Sequence, residues 1–483
     1  MPGKHTFYDG SSLLQPLANA TGIDVAKANL VVCQFISLPI AFLHYKYFAA
    51  NRVSRNVRLA FPPFVGIIFC YFCYGNAIKH LVSCIGISYA IMHLSPAEYV
   101  HKCVFLFSMG YLGFIHWYRW YVLTSYTIDI TGPMMVFVQK LTTIAFSLHD
   151  GRVKKDEELN DVQRRQALSS VPPLLEFLSY TFHFQTILTG PLCFFTDYME
   201  WIDGTNAIGK DGKIESQWKA VITKLLQVIL FAFVIVQFGS QLYPERLAEP
   251  EVMAWHWFPW WMMLYVMMVF QRVQYYFAWI LADAICNVSG FGFNGYDKNG
   301  KPRWDLMSNV DVIGVEMATN FKETLDSWNC CTMHWLRRVA YDRVAERYRT
   351  VATYLLSAFW HGFFPGYYLT FLGGALFTMA NRSIRRSLRH HFQGSAFSKR
   401  FYDVLTFLTT KVALAYVTFP FVTLHLNPGL FVYRSVYFCV HILALLSIVV
   451  LPIVMPPPPR AKKSVKKTET EMANENGGLK KVE

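Results

Sequence analysis

Charge is what this chain has least of. Of its 483 residues only 16% are Asp, Glu, Lys or Arg, against 53% hydrophobic and 17% aromatic, and mean hydropathy is positive at +0.26. An ordinary soluble domain carries nearer a quarter of its residues as charges, so that class is excluded and a polytopic membrane protein is the reading left. Other absences narrow the chemistry. There is no G-x-S-x-G elbow and no H-E-x-x-H pair, which argues against an α/β-hydrolase or a zinc peptidase. Ten cysteines are scattered mostly inside apolar runs, with Cys330 and Cys331 adjacent. They read as small buried hydrophobes rather than zinc ligands, and no metal site is expected. No period repeats along the chain, which weakens an inverted-repeat transporter. The opening MPGKHTFYDGSSLLQ lacks the apolar core of a signal peptide, so the first span is expected to do the targeting.

What is present is apolar length. Stretches fall near 29–48, 59–75, 77–94, 103–124, 133–148, 173–195, 221–242, 255–286, 351–380, 402–425 and 429–455, and at about 20 residues per crossing they predict roughly eleven spans. The organisation expected is a polar segment over 1–26, one membrane domain over 27–455, and a disordered basic tail over 456–483 that opens on a proline stop at Pro456. The net charge of +13 is concentrated in connections and tail. On a membrane protein that pattern reads as the positive-inside rule, with Arg152-Val153-Lys154-Lys155, Arg164-Arg165, Arg337-Arg338, Arg382 to Arg389 and the tail from Arg460 on cytosolic faces. Nucleic acid is not an expected partner. Asn19, Asn287 and Asn381 each begin an N-x-S/T sequon.

One ionisable side chain breaks the apolar pattern at an informative place. His361 lies within SAFWHGFFPGYYLTF, followed by Gly362 and, four residues on, by Pro365. In a helix the proline ring clashes with the His361 carbonyl and offers it no N–H, so the helix should kink or open there. With Arg349 at the membrane edge, the twelve-residue advance along the helix carries His361 about 18 Å inward, near the middle of the bilayer. Broken backbone at that depth requires protein or a wet cavity around it, which predicts an enclosed polar chamber. A neutral imidazole in such a chamber is suited to general-base work.

The longest polar interruption, 290–350, should be loop in GFGFNGYDKNGKPRWDLMSN and helical beyond it. Met317, Phe321, Leu325, Trp328, Thr332, Trp335 and Val339 recur at spacings of three and four, predicting one amphipathic helix at the interface or packed on the bundle. Asn329 flanks that stripe, and its amide is able to orient the imidazole or bond a developing oxyanion. Lys298, Lys301, Arg303, Arg337, Arg338, Arg343, Arg347 and Arg349 fall on the same side as the chamber mouth and would draw phosphate-rich ligands.

SWNCCTMHWLRRVAYDR at 327–343 and AFWHGFFPGYYLTF at 358–371 resemble the paired signatures of the membrane-bound O-acyltransferase (MBOAT) family. The likeness extends through DITGPMMVFVQKLTTIAFSLHDG from Asp129, PPLLEFLSY from Pro172, TGPLCFFTDY from Thr189 and the run from Tyr275 to RWDLMSN, in the order of the lysophospholipid acyltransferase branch. It implies an all-α MBOAT fold around a catalytic chamber, in an endoplasmic-reticulum enzyme that moves a fatty acyl group from acyl-CoA, a co-substrate rather than a cofactor, to the free hydroxyl of a lysophospholipid. By that likeness His361 is the base and Asn329 its catalytic partner. Trp304, Asp305, Trp328, Thr332, Trp335, Trp360, Gly362, Gly366, Tyr367 and Tyr368 fall on motif positions and shape the chamber. RWDLMSN, the His-Asp-Gly at 149–151 and WHGFFPGYYLTF look most like the enzymes acting on lysophosphatidylethanolamine and lysophosphatidylserine with unsaturated donors. The ending Lys480-Lys481-Val482-Glu483 resembles a dilysine retrieval signal, read on the cytosolic side, and is similar to that of the lysophosphatidylcholine enzyme. A covalent route through Cys330 or Cys331 is disfavoured, for want of an activating environment. A family branch acting on another lipid or on protein is one alternative. A transporter using Arg119, Lys140 and Asp283 is another.

Overall fold

The computed structural model describes residues 8–122, 128–210 and 212–458; the dilysine ending lies outside them. Helix dominates, and among the described residues the β-structure is limited to three isolated bridges, Ile208↔Ile214, Tyr296↔Pro302 and Val310↔Trp328. The principal helices are α1 (Val25–Tyr47), α2 (Arg55–Tyr74), α3 (Ile78–Leu94), α4 (Val100–Val122), α5 (Thr131–Val153), α6 (Trp218–Phe238), α7 (Trp257–Val288), α8 (Cys330–Leu336), α9 (Arg349–His361), α10 (Pro365–Leu388), α11 (Ala396–Thr423), α12 (Leu426–Ser435) and α13 (Cys439–Val449). The chain is thus an all-α, multi-pass membrane protein.

Length and apolarity alone identify fewer crossing helices than the expected eleven spans. Among the described residues four helical runs are long and apolar enough to cross a membrane: Val25–Tyr47, Arg55–Leu94, Trp218–Phe238 and Ala396–Thr423. A fifth arises if Leu426–Ser435 and Cys439–Val454, bent by 74°, form one span. The difference has physical causes. Apolar composition does not distinguish a lipid-facing helix from one surrounded by protein, and α5 is the second kind: Gln139, Lys140, Thr142, Thr143, Ser147 and Asp150 are all buried along it. The 173–195 stretch forms only the short helix Leu174–Phe182, after which buried, irregular backbone runs to Phe194. Such backbone is tolerable because protein encloses it and supplies its hydrogen bonds. By contrast α6 has only 11% of its apolar window buried and presents most of its surface outward.

The 351–380 stretch is a reversal rather than a kinked span. Helix α9 ends at His361, Gly362 to Phe364 turn, and α10 starts with Pro365 in its first turn, where a missing N–H costs nothing. The two helices then run antiparallel, tied by Tyr354 Oη with Thr378 Oγ1 at 2.7 Å and by Arg382 Nη1 donating to Thr350 Oγ1 at 3.0 Å. His361 therefore sits at the apex of a helical hairpin, still about 18 Å of helix from Arg349.

Buried apolar side chains gather into a large core around α5 that includes Phe137, Leu141, Trp335 and Trp360, and a smaller one formed by α7, α10, α11 and α12 through Leu264, Phe377, Tyr416 and Tyr433. Ions inside the bundle are compensated as burial demands. Arg119 meets Asp129 at 3.0 Å, Lys224 meets Asp283 at 2.6 Å, and the fully buried Lys140 ammonium donates to the carbonyls of Tyr180 and Thr181 at 3.0 and 3.2 Å. These bonds give each of the three candidate transport residues a structural task. One cysteine spacing, Cys70-Tyr-Phe-Cys73, is of a kind that elsewhere binds zinc. Here Cys73 Sγ lies 3.8 Å from Cys33 Sγ, and among the described residues no three metal-ligating side chains converge. Asn287 of the second sequon is fully buried and donates to the Trp304 carbonyl at 3.2 Å, which rules it out as a surface acceptor.

Candidate active site

The apex is built from glycine, aromatics and one second histidine. Gly362 holds φ +123°, a conformation open to glycine, and a Cβ there would stand 3.0 Å from His116 Nδ1. Both constraints require glycine at this place. Since α9 stops at His361, its last carbonyls lack helical partners. His116 Nε2 of α4 supplies one, lying 3.0 Å from the Trp360 carbonyl oxygen. A carbonyl only accepts, so that nitrogen carries the proton.

Around the His361 imidazole stand Trp360 at 4.7 Å, Phe371 stacked at 5.0 Å, Phe421 edge-on at 5.1 Å and Tyr367 at 5.5 Å between ring centroids. Among the described residues no hydrogen bond reaches either ring nitrogen, and the side chain keeps accessible surface. A polar ring placed this way has its place fixed by packing and its nitrogens uncommitted. That is what an incoming hydroxyl needs of a base.

The predicted amphipathic helix is broken in the middle. Phe321–Ser327 is one helical piece, α8 is the next, and a π-helical turn follows over Arg337–Tyr341. The interruption is Asn329, at φ 49° and ψ 49° in the left-handed region, which Asn tolerates better than other residues with a Cβ. Phe321, Thr332, Trp335 and Val339 of the stripe are buried, whereas Met317 is 64% exposed. The apolar spacing runs across the break, but the pieces pack on different cores: Phe321 and Leu325 on the smaller one, Trp328, Trp335 and Val339 on the larger.

Helix α5 joins the two breaks. Trp360 Nε1 donates to the Met135 carbonyl at 3.1 Å, Trp335 Nε1 to Thr142 Oγ1 at 2.8 Å, and Gln139 Nε2 to Thr332 Oγ1 at 3.0 Å. The Trp335 and Trp360 rings touch at 5.6 Å. At the other end of α5 the buried Asp150 carboxylate holds Arg343 at 2.6 Å and Arg338 at 3.4 Å. Two of the arginines assigned to the chamber mouth are therefore committed to fixing the segment after α8, and Arg303 is paired with Asp305 at 2.8 Å. Lys298, Lys301 and Arg347 remain exposed.

The candidate residues thus divide. Thr332, Trp335, Trp360, His361 and Tyr367 form one connected group, with Gly362 at its turn. Gly366 belongs to the packing of α10 on α11: its N–H donates to the Leu424 carbonyl at 2.7 Å, and a Cβ would meet the Pro420 oxygen at 2.0 Å. Tyr368 is partly buried on α10. Trp328 stacks edge-on with Trp279 of α7 at 4.9 Å. Trp304 and Asp305 stand apart, Trp304 in a small cluster with Phe293 and Ala207, and Asp305 in its exposed pair with Arg303. Among the described residues no hydrogen bond joins Asn329 to His361; the connection runs along α8 through Trp335 and Trp360. Burial pushes the Cys330 thiol up to about 11 and the Cys331 thiol well above its ordinary value, so neither is a thiolate at neutral pH, against an acyl-cysteine route. Sequence reasoning did not find His116, Gln139 or Thr142. Each lies in an ordinary apolar helix and acquires its role from a partner about 190 positions or more away.

Comparison with known proteins matches the same stretch. Residues 115–419 fit the model of MBOAT, the membrane-bound O-acyltransferase family. The chain is 42% identical over 476 residues to "Membrane-bound glycerophospholipid O-acyltransferase 2" of Rattus norvegicus, covering 96% of this chain and 90% of that one. It is 39% identical over 478 residues to "Membrane-bound glycerophospholipid O-acyltransferase 1" of Mus musculus, with 94% and 95% covered. It is 40% identical over 463 residues to "Lysophospholipid acyltransferase 6" of Drosophila melanogaster, covering 92% of this chain and 64% of that longer protein. With the hairpin, the α5 contacts and the left-handed asparagine all inside or beside the matched region, the chain belongs to the membrane-bound O-acyltransferase family.

Proposed function

We propose that the chain is a lysophospholipid acyltransferase of phospholipid remodelling, in which His361 and Asn329 act on acyl-CoA and a lysophospholipid within the membrane domain 27–455. The observation that carries this reading is the uncommitted His361 imidazole at the hairpin apex, ringed by aromatic side chains and held by the Trp360 contacts. His361 takes the proton of the lysolipid hydroxyl as its oxygen attacks the thioester carbonyl. The tetrahedral oxyanion is met by the Asn329 amide. Collapse breaks the carbon–sulfur bond, and the coenzyme A thiolate, of pKa near 8.5 in the free thiol, leaves with the proton returned by His361. Acyl-CoA approaches from the basic cytosolic side, where Lys298, Lys301 and Arg347 lie exposed, and the lysolipid enters from the bilayer. The relatives' names, glycerophospholipid O-acyltransferase and lysophospholipid acyltransferase, favour this acceptor class.

Within that class, RWDLMSN and the His-Asp-Gly at 149–151 favour lysophosphatidylethanolamine or lysophosphatidylserine with an unsaturated donor such as oleoyl-CoA. The endoplasmic-reticulum membrane is the proposed location, with the basic run from Arg460 on its cytosolic side by the positive-inside rule. Radiolabelled oleoyl-CoA supplied to microsomes with a panel of lysolipids tests this. Labelled phosphatidylethanolamine or phosphatidylserine should form with the parent chain and fall by about 10³-fold in His361→Ala, within the range of general acid–base contributions. Parent-like product from His361→Ala, or label in none of the lysolipids, would refute the proposal.

A further inference from the structure

Asn329 occupies the N-cap position of α8 without capping it. The first N–H groups of a helix need acceptors, and an N-cap asparagine ordinarily offers its own side chain from an extended backbone. Asn329 is left-handed instead, and its carboxamide makes no cap hydrogen bond. The two N–H groups are satisfied from elsewhere. The Asn309 carbonyl accepts from Cys330 N–H at 2.8 Å, and Asn309 Oδ1 accepts from Cys331 N–H at 3.1 Å.

Asn309 is only 5% exposed and firmly placed. Beside it Val310 bridges Trp328, and Asp311 N–H donates to the Ser327 carbonyl at 2.9 Å. On its other side Ser308 Oγ donates to Asp283 Oδ2 at 2.5 Å, within the Lys224–Asp283 pair, and the Lys224 ammonium also donates to the Trp304 carbonyl at 2.8 Å. A buried ion pair between α6 and α7 thereby fixes the strand-like segment that caps α8.

We propose that Asn309 is a positioning residue: it caps α8 in place of Asn329 and so leaves the Asn329 carboxamide free for the reacting centre. The inference rests on the catalytic reading of Asn329 given above. Without the Asn309 acceptor, the Cys331 N–H would be orphaned in a buried setting, and the acceptor an N-cap position ordinarily supplies to it is the Asn329 side chain, once the backbone there turns to the extended conformation. Capping its own helix, that amide would leave the site.

The test uses the full chain, purified in detergent and checked for monodispersity, with oleoyl-CoA and lysophosphatidylethanolamine. Asn309→Asp keeps the acceptor and should hold kcat within about twofold of the parent, whereas Asn309→Leu should lower kcat by about tenfold with KM for oleoyl-CoA unchanged. Where leucine prevents folding, Asn309→Ala replaces it in the same comparison. Parent-like kcat in the variants lacking the acceptor, an equal fall in Asn309→Asp, or a rise in KM alone would overturn the proposal. Asn329→Gly is measured alongside. If that variant turns over at the parent rate, the reading of Asn329 falls; if it is inactive while Asn309→Leu is not, only the positioning role falls.

Discussion

The two helix breaks that frame the site are made by opposite means. At 361–365 the chain uses residues that cannot do otherwise: Gly362 in a backbone conformation open to glycine, Pro365 unable to continue α9, and His116 packed 3.0 Å from where a Cβ on Gly362 would stand. At 328–330 it uses an asparagine that pays for its left-handed backbone and relies on a distant segment to finish the helix end. The first break is steric and local, the second is held by tertiary hydrogen bonds.

Replacing Asn329 probes the comparison most severely. Asn329→Gly relieves the left-handed backbone and removes the amide, so turnover should fall by about 10²-fold, as for loss of one oxyanion donor, with thermal stability retained. Asn329→Ala should lose the same turnover and in addition about 1 kcal/mol of stability, the cost of a left-handed residue with a Cβ. Activity assays paired with thermal melts separate the two effects. A Gly variant that keeps its activity would make Asn329 a backbone device only.

Gly362→Ala attacks the steric break. Strain at the positive φ together with the 3.0 Å approach of His116 should cost about 1–3 kcal/mol, read as a lowered melting temperature, and should displace the apex enough to reduce turnover. Unchanged melting and rate would show that the apex has room it is not described as having.

The smallest effect is electrostatic. Glu316 precedes the asparagine break, and although burial pushes its carboxyl up, the Arg272 guanidinium at 2.7 Å holds it below the usual range on balance. A depressed folded pKa gives stability that is complete above the unfolded value of about 4.3 and is lost as pH falls through the folded one. Melting temperatures of the parent should therefore drop below about pH 4.3 more steeply than those of Glu316→Gln. Parallel curves would remove Glu316 from the account of that break.

This contrast also explains what the sequence could disclose. Gly362 and Pro365 announce a helix end by their own covalent structure, and His361 was legible beside them. That the end is a reversal was not, because it depends on Tyr354 meeting Thr378 and Thr350 meeting Arg382. Asn329 gave no local sign of a break, since the apolar spacing from Phe321 to Val339 is the same for one helix or for three pieces packed on two cores. Hydropathy marked apolar stretches without telling which of them face lipid: α5 carries Gln139, Lys140, Ser147 and Asp150 into a protein interior. His116 and Asn309 were invisible for the same reason as the hairpin: their tasks are set by partners remote in the chain.

The most direct test of the central claim, that His361 is the base facing the scissile thioester, is an experimental structure of the chain with a non-hydrolysable thioether analogue of oleoyl-CoA. The account predicts the reacting carbon beside the imidazole, leaving a hydroxyl space within about 2.6–3.2 Å of a ring nitrogen, with the Asn329 amide on the oxygen side. An analogue whose reacting carbon lies elsewhere in the bundle, with the aromatic rings around His361 closed against it, would contradict the account.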